Sequence, residues 1–263
     1  MQNDSLKAWR DYSIGSIRAI DTGTGEPLVV MLHGWGSSPE SFLKIIETLK
    51  SQRRIIAPAL PGFAGSPEPA QAWGVWDYVE TVKAWLDEQG IERADFIGHS
   101  HGGRVSIGLA VEYPQMVNSL VLIGSAGLRL PPSLKLRWKR TMAKSMNIAM
   151  KLLPASMAEK LRSRREQLGS EDWRAASPVM RQTLSRVIGE DMSDQVAKIS
   201  APTCLIWGAN DDAVPVLAAR RMNDLIAGSK LTVIAGAGHY CFLDKPGDVI
   251  SLIWEHLGLP KAW

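Results

Sequence analysis

Short runs of consecutive apolar residues alternate along the chain with longer stretches in which apolar positions recur every three or four residues. The first pattern fits strands buried on both faces, the second amphipathic helices laid over them. Leu28-Val29-Val30-Met31-Leu32 predicts one such strand. Residues 38–50 predict the helix that follows, with Ser37 or Ser38 as cap and Pro39 in its first turn. Arg54-Ile55-Ile56-Ala57 predicts the next strand, ended by Pro58. Residues 61–72, rich in Pro and Gly, read as a loop, and 76–89 as a helix stopped by Gly90. Ala94-Asp95-Phe96-Ile97, Leu120-Val121-Leu122-Ile123, Thr203-Cys204-Leu205-Ile206-Trp207 and Leu231-Thr232-Val233-Ile234 predict four more strands, and 248–257 a closing helix. Alternation over 12–20 fits an early antiparallel strand or hairpin. The regular exchange of strand and helix predicts an α/β fold: a mostly parallel central sheet with helices on both faces.

The pattern breaks once. Between Gly127 and Ile199 strand-like runs stop and helical spacing takes over. Met142, Met146, Ala149, Met150 and Leu153 fall on one helical stripe. This stretch carries 15 Lys and Arg against 7 Asp and Glu, whereas the remainder carries 15 against 20. The division expected is a core formed by 1–127 and 200–263, with 128–199 as a helical cap inserted between core strands. Such a stripe either packs the cap on the body or lines an apolar pocket. Its basic residues, among them Lys135, Arg137, Lys139, Arg140 and Lys144, form a solvated face or attract anionic partners.

Composition narrows the partners. With 263 residues, 45% hydrophobic and 22% charged, the chain has the make-up of an ordinary globular protein. A net charge of +3 is too mild to argue for nucleic acid. No run of 18 apolar residues predicts a membrane span, and the start lacks the apolar stretch of a secretion signal. A cytoplasmic protein without integral membrane contact is expected. Cys204 and Cys241 offer neither a disulfide framework nor metal-ligand spacing, so neither metal nor cofactor is expected. Oligomeric state leaves no mark in the sequence.

The chemistry concentrates in Gly98-His99-Ser100-His101-Gly102, between a predicted strand and a helix-like run over 103–113. Strand, sharp turn and helix with a serine at the tip is the nucleophile-elbow arrangement. A side chain at either glycine would crowd the strand or the helix. The pentapeptide alone recurs by chance in roughly one chain in ten of this length, so its partners decide. A serine hydroxyl needs a base, and the base an orienting acid. The acid expected lies in Trp207-Gly208-Ala209-Asn210-Asp211-Asp212, just past a strand's carboxyl end, with Asp211 preferred over Asp212. His239, in Gly236-Ala237-Gly238-His239, follows the last core strand and is the base expected. His99 and His101 sit too close in chain to the serine to serve, and His256 lies in the terminal helix. The order Ser100, Asp211, His239 is the one this elbow type uses.

His33-Gly34-Trp35-Gly36 follows the strand ending at Leu32. Acyl transfer needs fixed N–H donors aimed at the developing oxyanion. The backbone amides of Trp35 and His101 are the two expected. The pocket is expected to draw on His33, Gly34, Phe63, Leu128, Trp138, Met142, Met146 and Tyr240.

On His33-Gly34-Trp35-Gly36, Gly98-His99-Ser100-His101-Gly102-Gly103, Trp207 to Asp211 with Val214-Pro215, and Gly238-His239, the chain resembles the α/β-hydrolase superfamily over about 10–258, in the subset with a helical cap. The resemblance implies the α/β-hydrolase fold and, for a chain with a serine at the elbow, hydrolysis through an acyl-enzyme. The serine argues against epoxide hydrolases and haloalkane dehalogenases, which use an aspartate. A carboxylesterase or lipase acting on a small-molecule ester is the activity implied. Carbon–carbon bond hydrolases of ring-cleavage products look similar, but often carry Asn and Met around the serine and Trp after the histidine. Here those positions hold His99, His101 and Tyr240. A low-turnover ligand receptor on the same scaffold is a third possibility.

Overall fold

In the computed structural model, residues 9–11, 17–23, 25–26, 28–130, 142, 145, 157, 173–174 and 176–260 are described. Eight strands form one sheet: β1 (Trp9–Asp11), β2 (Arg18–Asp21), β3 (Leu28–Leu32), β4 (Arg54–Pro58), β5 (Ala94–His99), β6 (Val117–Ile123), β7 (Thr203–Gly208) and β8 (Lys230–Ile234). Their order across the sheet is β1-β2-β4-β3-β5-β6-β7-β8. From β4 to β8 every neighbouring pair is parallel. β1 and β2 form an antiparallel hairpin at one edge, β2 also pairing antiparallel with β4. The described end of the early alternating segment is thus an arm of an antiparallel hairpin, β2, whose partner β1 lies before the segment.

The apolar runs are continuous because both faces are covered. Along β3, β6 and β7 successive side chains enter opposite layers, as the pleat requires. Leu28, Val30, Leu120, Leu122, Leu205 and Trp207 join one core cluster, with α2 (Val75–Glu88), α3 (His101–Glu112) and α6 (Val216–Leu225) packed on it. Val29, Met31, Val121, Ile123, Cys204 and Ile206 join the other, under α1 (Leu43–Leu49), the short α7 (Cys241–Asp244) and α8 (Pro246–His256). In α2 the buried Val75, Tyr78, Val79, Val82, Trp85 and Leu86 repeat at three- and four-residue intervals. The helix expected over 38–50 divides into a 3-10 turn, Pro39–Phe42, and α1.

Between β6 and β7 the described residues include α4 (Pro178–Gly189) and α5 (Ser193–Val196). Pro178 occupies the first turn of α4, and the Ser177 hydroxyl accepts the Met180 amide at 3.2 Å. Among the described residues no helix is long and apolar enough to cross a membrane.

Parallel pairing has a functional consequence. β3, β5, β6, β7 and β8 all end at one edge of the sheet. The residues just past them, 33–36, 100, 124–126, 211–214 and 239, therefore converge on one crevice.

Candidate active site

Ser100 sits between the last residue of β5 and the first of α3, with φ 51° and ψ −109°. A non-glycine residue held there stores on the order of 1–3 kcal/mol of strain. The surroundings enforce it. The Ser100 amide donates to Ile123 (3.1 Å), and its carbonyl accepts from Ala126 (3.1 Å) and Arg104 (3.3 Å). The flanking glycines permit it. A Cβ on Gly98 would lie 2.7 Å from the Gly103 Cα, and one on Gly102 2.7 Å from the His33 carbonyl oxygen. The first would crowd α3 and the second the exit from β3, so neither position tolerates a side chain.

His239 follows β8, and its Nδ1 lies 2.8 Å from Asp211 Oδ2. Asp211 is buried, and its other oxygen accepts the amides of Ala213 (3.0 Å) and Val214 (2.7 Å). A carboxylate so held can only accept, so His239 Nδ1 carries the proton and Nε2 presents its lone pair. Asp212, next along, is exposed. Of the two aspartates it is Asp211 that meets the histidine.

A cavity of about 660 Å³ opens on these groups. Ser100 and His239 line it, with Trp35, His101 and Tyr240. Leu184, Val187 and Ile188 of α4, with Ala126 and Val214, give it an apolar wall; Arg104, Asp212 and Asp244 bring charge. No protein acceptor takes the backbone N–H of Trp35 or of His101 among the described residues. The Trp35 ring packs edge-on against Phe63 (centroids 4.9 Å apart) and against His101 (5.5 Å).

Five described residues expected in the pocket lie outside this lining. His33 is fully buried. Its Nδ1 donates to the Gly34 carbonyl (2.8 Å) and its Nε2 accepts the Leu60 amide (3.0 Å). Burial pushes its pKa down to about 4, so it is a neutral brace between the loop after β3 and the loop after β4. Gly34 lies against the elbow: a Cβ there would be 2.8 Å from His99 Nδ1 and 3.2 Å from the Ser100 Cβ. Phe63 stands behind Trp35, and Leu128 packs on the core. Met142 is helical and half-buried, away from the described lining. Trp138 and Met146 lie outside the described residues. Tyr240 lines the cavity, its ring 5.5 Å from that of His239.

Three supporting groups had been given no role from the sequence. His99, fully buried, donates from Nε2 to the His239 carbonyl at 3.1 Å. Burial, and then the neighbouring His239, lower its pKa to about 3, which keeps it neutral. Asp244 accepts the Gly238 amide at 2.8 Å and so fixes the same loop. Arg104 lines the cavity from α3; in the sequence it stands out as the one Lys, Arg, Asp or Glu in 101–111, which does not say what it faces. Both cysteines are buried, and burial raises their thiols to about 11 (Cys204) and about 12 (Cys241). Among the described residues no cluster of His, Cys, Asp or Glu could hold a metal ion.

A serine at a strained strand-to-helix turn, in one crevice with an aspartate-bound histidine, on a doubly covered parallel sheet, defines an α/β hydrolase. Residues 27–246 match the family model described as the alpha/beta hydrolase fold, and the chain belongs to that family. It is 30% identical to a 2-hydroxymuconate semialdehyde hydrolase of Pseudomonas sp. (strain CF600), over 92% of this chain and 90% of that one. It is 28% identical to a 2-hydroxy-6-oxo-2,4-heptadienoate hydrolase of Pseudomonas putida, over 90% and 91%. Among solved structures, a bacterial membrane phospholipase A has the same fold, with a TM-score of 0.77 at 21% identity over 97% of this chain and 86% of that one.

Proposed function

We propose that this hydrolase splits carboxylic esters through an acyl-enzyme on Ser100. The observation that carries the reading is the His239–Asp211 hydrogen bond, with His239 lining the same cavity as Ser100. In this reading Ser100 Oγ attacks the ester carbonyl carbon while His239 Nε2 takes its proton. Asp211 holds the imidazole tautomer and stabilises the imidazolium. The carbonyl π electrons move onto oxygen, and the Trp35 and His101 amides hold that oxyanion, each worth about 3–4 kcal/mol of barrier. The oxyanion collapses, the carbon–oxygen bond to the alcohol breaks, and the alcohol leaves with the proton from His239. Water, deprotonated by His239, then releases the acid. Residues 128–199 act as a cap, with α4 supplying the apolar wall.

A second reading keeps the same residues and breaks a carbon–carbon bond in a ring-cleavage product. The likeness to the 2-hydroxymuconate semialdehyde hydrolase favours it. His99, His101 and Tyr240, at positions where those enzymes often carry Asn, Met and Trp, weigh against it.

Hydrolysis of p-nitrophenyl esters of two to sixteen acyl carbons, beside decay of a dienoate chromophore, tests both in wild-type and Ser100→Ala protein. Ester turnover that vanishes in the mutant, with a fluorophosphonate adduct on Ser100, is the expected result. Decay of the dienoate with inert esters transfers the assignment to the carbon–carbon reaction. A wild-type protein inert to all of these and unlabelled by the fluorophosphonate removes both.

A further inference from the structure

Arg104 is a buried cation that makes no direct ion pair among the described residues. It lies one turn of α3 beyond Ser100, is 8% exposed, and lines the same cavity. Its Nη1 donates to the carbonyls of Val187 (2.8 Å) and Glu190 (3.3 Å) at the end of α4. Both acceptors are neutral. Among the described residues no acceptor takes the N–H groups of Nε or Nη2, and no carboxylate lies within ion-pair distance. The nearby acids are occupied elsewhere: the Glu190 carboxylate accepts the Val75 amide, and Asp191 accepts from Ser193 and the Arg129 amide. Burial lowers the guanidinium to about 10 against the longer-range pull of the Glu190 and Asp191 carboxylates, so it keeps its charge at neutral pH.

A buried charge whose only direct partners are neutral carbonyls, with carboxylates at longer range alone, is costly to desolvate. Three residues earlier on the same helix face sits His101, whose two ring nitrogens are buried without a partner. Burial, and then Arg104 itself, hold that ring neutral. The cavity lining therefore holds a fixed guanidinium beside a neutral imidazole whose ring nitrogens are shielded from solvent. The rest of the wall toward α4 is apolar, from Leu184, Val187 and Ile188. The other charged lining groups, Asp212 and Asp244, are exposed and screened by solvent.

We propose that Arg104 is the specificity-determining residue of an anion subsite, and that the physiological substrate is a hemiester whose acyl chain ends in a carboxylate seated on Arg104. A guanidinium suits this task because its planar fork pairs with a carboxylate in two parallel hydrogen bonds. The methylenes lie against the α4 wall, and the ester carbonyl reaches Ser100. This rests on the reading of Ser100 as the nucleophile; the seat for the anion does not.

The test compares mono-p-nitrophenyl adipate with p-nitrophenyl hexanoate, two six-carbon acyl chains that differ in a terminal carboxylate against a methyl. Wild-type protein is expected to favour the adipate at least tenfold in kcat/KM. Arg104→Gln should lower that ratio about 10- to 100-fold, the range for losing a hydrogen bond to a charged group; Arg104→Lys should keep most of it. A merely structural Arg104, needed only to hold α4, would lower both esters together and leave the ratio unchanged. Should Arg104→Gln fail to fold, salt decides in the wild-type protein: sodium chloride raises KM for the adipate and not for the hexanoate. A wild-type preference for hexanoate, an unchanged ratio, or a salt-independent KM overturns the subsite. Calorimetric binding of monomethyl adipate to Ser100→Ala, against the Ser100→Ala/Arg104→Gln double variant, separates the two claims. Arg104-dependent binding without turnover of either ester by wild type sinks the ester reading and leaves the subsite. Turnover without charge preference does the reverse.

Discussion

The Nε2 of His99 donates to the carbonyl of His239 across 3.1 Å, so the residue before the nucleophile holds the backbone of the loop that presents the base. The two rings also lie 4.7 Å apart. His99 thus acts through His239 as a positioning residue. Replacing it with Phe keeps the ring volume and removes the donor. A neutral hydrogen bond of this kind is worth about 1 kcal/mol. His99→Phe is expected to lower kcat roughly five- to tenfold with KM little changed, in steady-state ester hydrolysis. An equal rise in KM with kcat intact would place His99 in substrate binding instead.

Asp211→Asn tests the acid. The new amide oxygen can still accept the Ala213 and Val214 amides, so the turn survives. The amide nitrogen facing His239 Nδ1 is a donor, and the imidazole must turn or switch tautomer. Nε2 then carries the proton and cannot take one from Ser100. The expected loss in kcat is about 10⁴-fold, with thermal stability near wild type. A loss under tenfold would remove Asp211 from the reaction.

The strands were readable because burial on both faces leaves an unbroken apolar run, as in Leu28–Leu32 and Thr203–Gly208. The elbow was readable because only glycine fits at 98 and 102. Alternation marks the hairpin at β2 and leaves out β1, whose three residues are too few to show it. His33 shows a different gap. A histidine after a strand end can face the crevice or the backbone, and only the Leu60 amide and Gly34 carbonyl settle which. Arg104 was passed over for a related reason. Nothing in the sequence states whether a helical arginine meets solvent, a carboxylate or an empty cavity.

Gly34→Ala probes the close approach of the loop after β3 to the elbow. The added methyl would stand 2.8 Å from His99 Nδ1 and 3.2 Å from the Ser100 Cβ, and both neighbours are held in place. The loop bearing the Trp35 amide must therefore move outward. Overpacking of this kind costs about 1–3 kcal/mol of stability. A larger loss is expected in kcat, roughly 100-fold, because the displaced amide no longer reaches the oxyanion. Urea unfolding beside ester kinetics separates the two effects. Unchanged kcat in a destabilised protein would exclude the Trp35 amide from the oxyanion site.

Acid should unfold this protein early. His33, His99 and His101 are fully buried, and desolvation lowers them to about 4, about 3 and about 3, against about 6.5 in an unfolded chain. Their folded values are depressed, so the unfolded state binds more protons below pH 6.5. The stability they contribute is whole above that pH and is lost progressively as the pH falls toward 4. Between pH 6 and pH 5 the three together steepen the decline toward about 4 kcal/mol per pH unit, the limit for three protons taken up. Urea unfolding at pH 7.5, 6 and 5 measures the slope. His33→Asn should flatten it by about one proton while lowering stability at pH 7.5, because its brace between Gly34 and Leu60 is weakened. A free energy of unfolding constant from pH 7.5 to 5 would show that these imidazoles gain protons without leaving their sites.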